Sequence, residues 1–235
     1  MNDFTYHNIF ETKGIEYLVI IAFLILIVPF WMIINRRFNI KHQLSRLEVL
    51  TADVLRIPQG FYFSKNHSWA YLEKSGLAKI GVDDFLLKVV GSAYFKPSVD
   101  KGSYVKKGQV IAEIVQDDKN MQIKSPVTGV IENINTRMVE DPALLNSDPY
   151  SKGWMYMIKP ENWKTETVGC YLADEAYEWI KAELARLKDF LAVGIQKTAS
   201  VPVGVAYQEG GEIRQNVLSD MDTGIWSEFQ QEFLA

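Results

Sequence analysis

Hydrophobic and polar positions divide this chain into successive regimes. From Tyr17 to Ile34 (YLVIIAFLILIVPFWMII) no charge interrupts the apolar run. At about 1.5 Å per residue such a helix reaches about 27 Å, close to a bilayer core. Tyr17 and Trp31 stand near its ends, where amphipathic rings favour the interface. The pattern predicts a transmembrane helix over 17–35, with 1–16 as a short extracytoplasmic N-terminus. The residues before the run are acidic on balance (Asp3, Glu11 and Glu16 against Lys13), so a cleaved signal peptide, which needs a basic start, fits poorly. Arg36, Arg37, Lys41 and Arg46 follow the run. The positive-inside rule then places a single-pass protein in the inner (cytoplasmic) membrane, N-terminus outside and C-terminal domain in the cytoplasm. Pro29 predicts a kink that calls for a neighbouring helix.

Leu44, Leu47, Leu50 and Val54 recur at helical spacing among Lys, Arg and Glu, so 36–57 reads as a basic amphipathic linker helix, stopped by Pro58 and Gly60. Between Ile57 and Pro160 the period shortens to that of strands: Phe61–Phe63, Trp69–Leu72, Leu77–Ile80, Val130–Ile134 and Trp154–Ile158, divided by polar or glycine turns. Asp83–Val90 is a short helix with an acidic N-cap, closed by Gly91. Asp141–Leu145 is a helical turn opened by Pro142. Two stacked antiparallel sheets with quasi-twofold halves would bury the alternating faces.

The centre of this region is Lys101–Gly129. Val110–Val115 (VIAEIV) is apolar and β-branched, Gln116–Asn120 (QDDKN) is a polar tip, and Met121–Lys124 alternates back into a strand. This is a β-hairpin with a charged apex. After Pro160, Asp174–Leu191 carries Ala176, Ile180, Leu184, Leu187 and Leu191 on one helical stripe, ended by Gly194. Val201–Tyr207 reads as a strand, Glu209-Gly210-Gly211 as a turn, and Asp222–Leu234 as a helix with Trp226, Phe229 and Phe233 on one side. Residues 161–235 thus form a small helix-strand-helix annex.

Composition narrows the function. A net charge of −4 over 235 residues argues against a nucleic-acid partner. One cysteine, Cys170, excludes an internal disulfide and reads as a small buried hydrophobe. His7, His42 and His67 are scattered, with no metal-ligand spacing. No residue set resembles a catalytic triad, and His67 reads as a packing partner of its aromatic neighbours. Asp83-Asp84 and Asp117-Asp118 read as a helix start and a hairpin tip rather than as acid–base pairs.

Several stretches then give a specific resemblance: His67-x-Trp69, Ala78-x-Ile80-Gly81-Val82-x-Asp84-Phe85, Gly108, Ser125-Pro126-Val127-x-Gly129-Val130, and Asn146-Ser147-x-Pro149-Tyr150-x-x-Gly153-Trp154. Residues 58–160 resemble the glycine cleavage system H protein, of the lipoyl-domain superfamily. The resemblance implies a mainly β fold with flanking helices, a barrel-sandwich hybrid with an exposed hairpin apex bearing lipoate on a lysine. Counting back from Ser125 or forward from Gly108 puts that lysine on Asp118, with Lys119 one place later. A shift of one residue along a strand turns a side chain to the other face.

The expectation is a non-catalytic, membrane-anchored accessory subunit with no cofactor, its apex lysine lost. Its partners would be the bilayer and other integral membrane and cytoplasmic subunits of a respiratory or redox complex. The alternative is a tethered lipoyl carrier modified on Lys119, shuttling reducing equivalents or acyl or aminomethyl groups between enzymes.

Overall fold

A computed structural model of the chain describes residues 9–35, 49–197 and 212–235, with side chains over 17–31, 49–193 and 212–235. The expected strand at 201–207, the turn at 209–211 and the 36–48 part of the expected linker helix lie outside the described residues. The chain divides into two compact units, Met1–Gln43 and Leu44–Ala235.

The first unit contains helix α1 (Ile9–Asn35), with Pro29 inside it. Among the described residues no helix is long and apolar enough to cross a membrane. This overturns the expected span over 17–35 and the single-pass, N-terminus-outside placement in the inner membrane that rested on it.

In the second unit the strands are short because β-branched and aromatic runs alternate with turn residues. Among the described residues nine strands form two antiparallel sheets. The larger runs β1 (Tyr62–Phe63), β2 (Ser68–Leu72), β3 (Ala78–Val82), β9 (Tyr156–Pro160), β8 (Gly129–Ile134), β5 (Tyr104–Val105) in spatial order. The smaller runs β4 (Tyr94–Pro97), β6 (Val110–Gln116), β7 (Lys119–Lys124). Buried residues of both sheets, among them Trp69, Ile80, Ile111, Ile114, Met121 and Ile158, share one core. The two-sheet expectation holds, and the sequence pattern missed β4 and β5, which are short and largely exposed. Gly129 is required where β8 crosses β9: a Cβ there would lie 2.2 Å from the Lys159 carbonyl oxygen.

Helix α2 (Asp84–Val90) begins where Asp83 accepts a hydrogen bond from Leu86 N at 2.9 Å and ends at Gly91, φ +89°. Two short helices, α3 (Arg137–Glu140) and α4 (Ala143–Ser147), follow β8. α5 (Trp163–Thr167) leads into α6 (Ala173–Lys197), which runs through Gly194 instead of stopping there. A 3-10 turn (Val217–Asp220) then leads to α7 (Thr223–Phe233), which Asp222 caps by accepting from Ile225 N at 2.9 Å.

These annex elements join the sandwich core. Phe190, Phe229 and Phe233 pack together, with Phe229 and Phe233 stacked at 4.5 Å. Residues 49–57 are not helical: Val49 bridges Arg214 and Leu50 N donates to Ile213 O at 2.8 Å. Strand-like pairing takes the backbone groups that a linker helix would use internally. Leu50 is buried by that pairing, which explains its apolar character without a helical stripe.

Candidate functional site

The hairpin is tighter than the pattern predicts. β6 and β7 pair down to Gln116 opposite Lys119, which leaves only Asp117-Asp118 as the tip. Asp117 adopts φ +52°, a left-handed conformation that Asp and Asn tolerate better than most residues. Gln116 holds the last rung by donating its side-chain amide to Ser92 O at 2.9 Å. Asp117 and Asp118 are both exposed.

Lys119 therefore lies in a strand and obeys its alternation. Lys119, Met121 and Ile123 are buried while Asn120 and Gln122 are exposed. The Lys119 side chain points away from the tip, into the annex. Its Nζ donates to Ser219 O at 2.7 Å and Met221 O at 3.1 Å, and stands 5.2 Å from the Trp226 ring centre. Both carbonyls flank the end of the 3-10 turn. Lys119 is 8% exposed. Two hydrogen bonds and a cation–π contact hold the side chain in this position.

Helix α7 runs beside β7. Gln230 Oε1 accepts from Gln122 N at 2.9 Å, and Asn66 Nδ2 donates to Leu234 O at 3.0 Å and Ala235 O at 2.7 Å. The edge strand of the smaller sheet is thereby covered, as exposed edges in stable folds generally are.

His67 is structural, as expected, though its surroundings are not those expected. It is fully buried and lies between Phe85 at 4.6 Å and Trp179 at 5.0 Å. Its Nδ1 bonds Asp83 Oδ2 at 2.8 Å, and Nε2 faces Glu183 Oε2 at 3.7 Å. At that separation Glu183 acts by charge rather than by a hydrogen bond. Burial alone would lower the imidazole pKa, but the carboxylates of Asp83 and Glu183 outweigh it and raise it to about 9. The two acids come from positions far apart in sequence, which is why spacing gave no hint of them.

Asp83 thus serves both as helix cap and as histidine partner. Asp84 meets Arg56, Oδ1 to Nη2 at 2.7 Å, and takes its backbone N–H at 3.0 Å. Both aspartates are structural. Cys170 is buried, and burial raises its thiol pKa. Among the described residues no group of three or more His, Cys, Asp or Glu side chains could hold a metal ion.

The described residues form a two-sheet sandwich that projects a narrow hairpin with an exposed two-residue tip, the architecture of a carrier-type domain. Residues 61–184 match the family described as glycine cleavage H-protein, and the chain belongs to that family. The match runs past the expected boundary at 160 and takes in α5 and part of α6. H proteins are non-catalytic carriers of lipoate on a lysine.

The chain is 28% identical over 127 residues to a probable glycine cleavage system H protein of Pyrococcus abyssi, covering 54% of this chain and 94% of that protein. It is 31% identical over 111 residues to the corresponding probable H protein of Thermococcus kodakarensis, covering 47% and 82%. The crystal structure of a glycine cleavage system H protein from Mycobacterium marinum aligns with a TM-score of 0.46 at 24% identity, over 54% of this chain and 99% of that one.

Proposed function

We propose that this chain is a non-catalytic H-protein-family subunit that works through protein contacts, without a lipoyl arm. The observation that carries this reading is the placement of Lys119. The exposed tip holds Asp118 where the resemblance places the family's lysine, and the only adjacent lysine is closed against Ser219, Met221 and Trp226. Acylating Nζ would remove its charge and leave one N–H where the ammonium has three. The two hydrogen bonds and the cation–π contact to the annex and a lipoyl amide on Lys119 therefore oppose each other. A modifying enzyme would need α7 and the 3-10 turn to withdraw before it could reach the nitrogen.

A second reading, a lipoyl carrier modified on Lys119, is favoured by family membership itself, since H proteins carry lipoate on a lysine. It requires the annex to open. In that case Lys119 would be a working site held in reserve.

Lipoate attachment separates the two. The full-length chain, Asp118→Lys and Lys119→Arg are incubated with a lipoate ligase, lipoate and ATP, and read by intact mass. The armless reading expects no adduct on the natural sequence and an adduct on Asp118→Lys, whose new lysine sits at the exposed tip. An adduct on the natural chain that Lys119→Arg abolishes would establish the carrier instead.

A further inference from the structure

On the side of the hairpin away from α7 a groove runs from the tip along β4. Its floor is apolar and buried, from Ala93, Phe95, Val115 and Met138. Its rims are apolar and exposed, with Tyr94 at 45% and Val139 at 58%. The cavity measures about 650 Å³. A second of about 430 Å³ shares Ser92, Ala93 and Pro142 with it and continues to Asn146 and Ser147. Two cavities joined along a common wall make an elongated trough, suited to an extended chain rather than a compact small molecule.

Charge gives the trough a polarity. Among the described residues, Asp117 is the only charged one lining either cavity. Asp118 follows it at the exposed tip, and the exposed Glu140 and Asp141 stand in sequence between the lining residues Val139 and Pro142. Arg137, at the start of the same short helix, lines a separate cleft with Lys152 and Trp154.

Gln116 adds an independent observation. It lines the groove and is only 9% exposed, and with its amide nitrogen committed to Ser92 O its Oε1 has no hydrogen-bond partner. A buried, unsatisfied acceptor is costly and calls for a donor.

We propose that this groove binds an extended, basic peptide segment of a partner protein. An apolar side chain of that segment lies between Tyr94 and Val139, its Lys or Arg residues meet Asp117 and Asp118, and a backbone N–H of the segment approaches Gln116. Apolar anchoring supplies affinity and the acidic tip supplies selection against acidic partners. This deepens the partner-binding reading and rests on it, yet it is separable: the titration below does not register lipoate, and lipoate attachment does not register the groove.

The test uses the full-length, ¹⁵N-labelled chain and a blocked tetrapeptide with leucine and phenylalanine between two lysines. Saturable amide shifts confined to residues 92–95, 115–118 and 138–143 are expected. Affinity should fall by about tenfold or more when glutamates replace the lysines, when glycines replace the apolar pair, in the Asp117→Asn/Asp118→Asn double variant, and in Val139→Ser. The variants change exposed side chains, and an otherwise unchanged spectrum verifies their fold. No saturable shift at millimolar peptide, equal binding of the glutamate peptide, or shifts centred elsewhere would overturn the proposal.

Discussion

The ammonium of Lys119 stands 5.2 Å from the ring of Trp226, one hundred and seven positions later in the chain (226 − 119), and the two close the hairpin against the C-terminal annex. A lysine beside a carrier tip is thereby turned into a fastening. Ser219 O and Met221 O complete it, and Trp226 is itself held by donating Nε1–H to Leu218 O at 2.7 Å.

Removing the fastening should loosen the annex. Lys119→Met keeps the volume but leaves two carbonyls without a charged donor, at a cost of roughly 1.5–3 kcal/mol. Denaturant unfolding should show that loss, and hydrogen exchange should speed up across 217–233. Unchanged exchange there would mean that the annex is held by its aromatic packing alone.

The buried His67 predicts a loss of stability in alkali. Its folded pKa, about 9, lies above the ordinary 6.5, so the stabilisation is fully present below about pH 6.5 and disappears as pH rises through 9. The shift corresponds to about 3 kcal/mol. Glu183, whose pKa is lowered chiefly by His67 and Arg186 against the opposing effect of burial, contributes in the other direction, losing its stabilisation as pH falls through its folded pKa. Urea midpoints measured from about pH 6 to 10 should decline at the alkaline end, and His67→Gln should flatten that decline.

Gly129 predicts a purely steric effect. A Cβ at this position meets the Lys159 carbonyl oxygen at 2.2 Å and Ile158 Cγ2 at 2.7 Å, so the β8–β9 pairing must shift. Gly129→Ala should cost about 1–3 kcal/mol or more. Gly169→Ala, where a Cβ meets nothing within 4 Å, is the control and should leave the unfolding midpoint nearly unchanged.

Local signals in the sequence carried the sandwich well. Alternating apolar positions place β2, β3, β6, β7 and β8, and Asp83 with Gly91 bounds α2 correctly, because caps and strand alternation are set by neighbours in sequence. The hairpin was also legible, but not the extent of its pairing: the polar run Gln116–Asn120 suggested a five-residue tip, whereas Gln116 and Lys119 pair and leave only Asp117-Asp118. Contacts between distant segments were not legible. Nothing near Lys119 announces Ser219 or Met221, and nothing near His67 announces Glu183. The spacing of Leu50 and Val54 suggested a helix because apolar recurrence alone does not say whether a residue is buried by a helical stripe or by pairing, and Leu50 is buried by pairing with Ile213.

The most direct test of the central claim is the mass of the peptide containing Lys119, taken from protein isolated from its native host. An armless subunit gives Lys119 unmodified, with Asp118 at the tip and no lipoyl-bearing peptide in the digest. A lipoyl amide on Lys119 at substantial occupancy would contradict it, and would mean that the annex opens to release a working carrier arm.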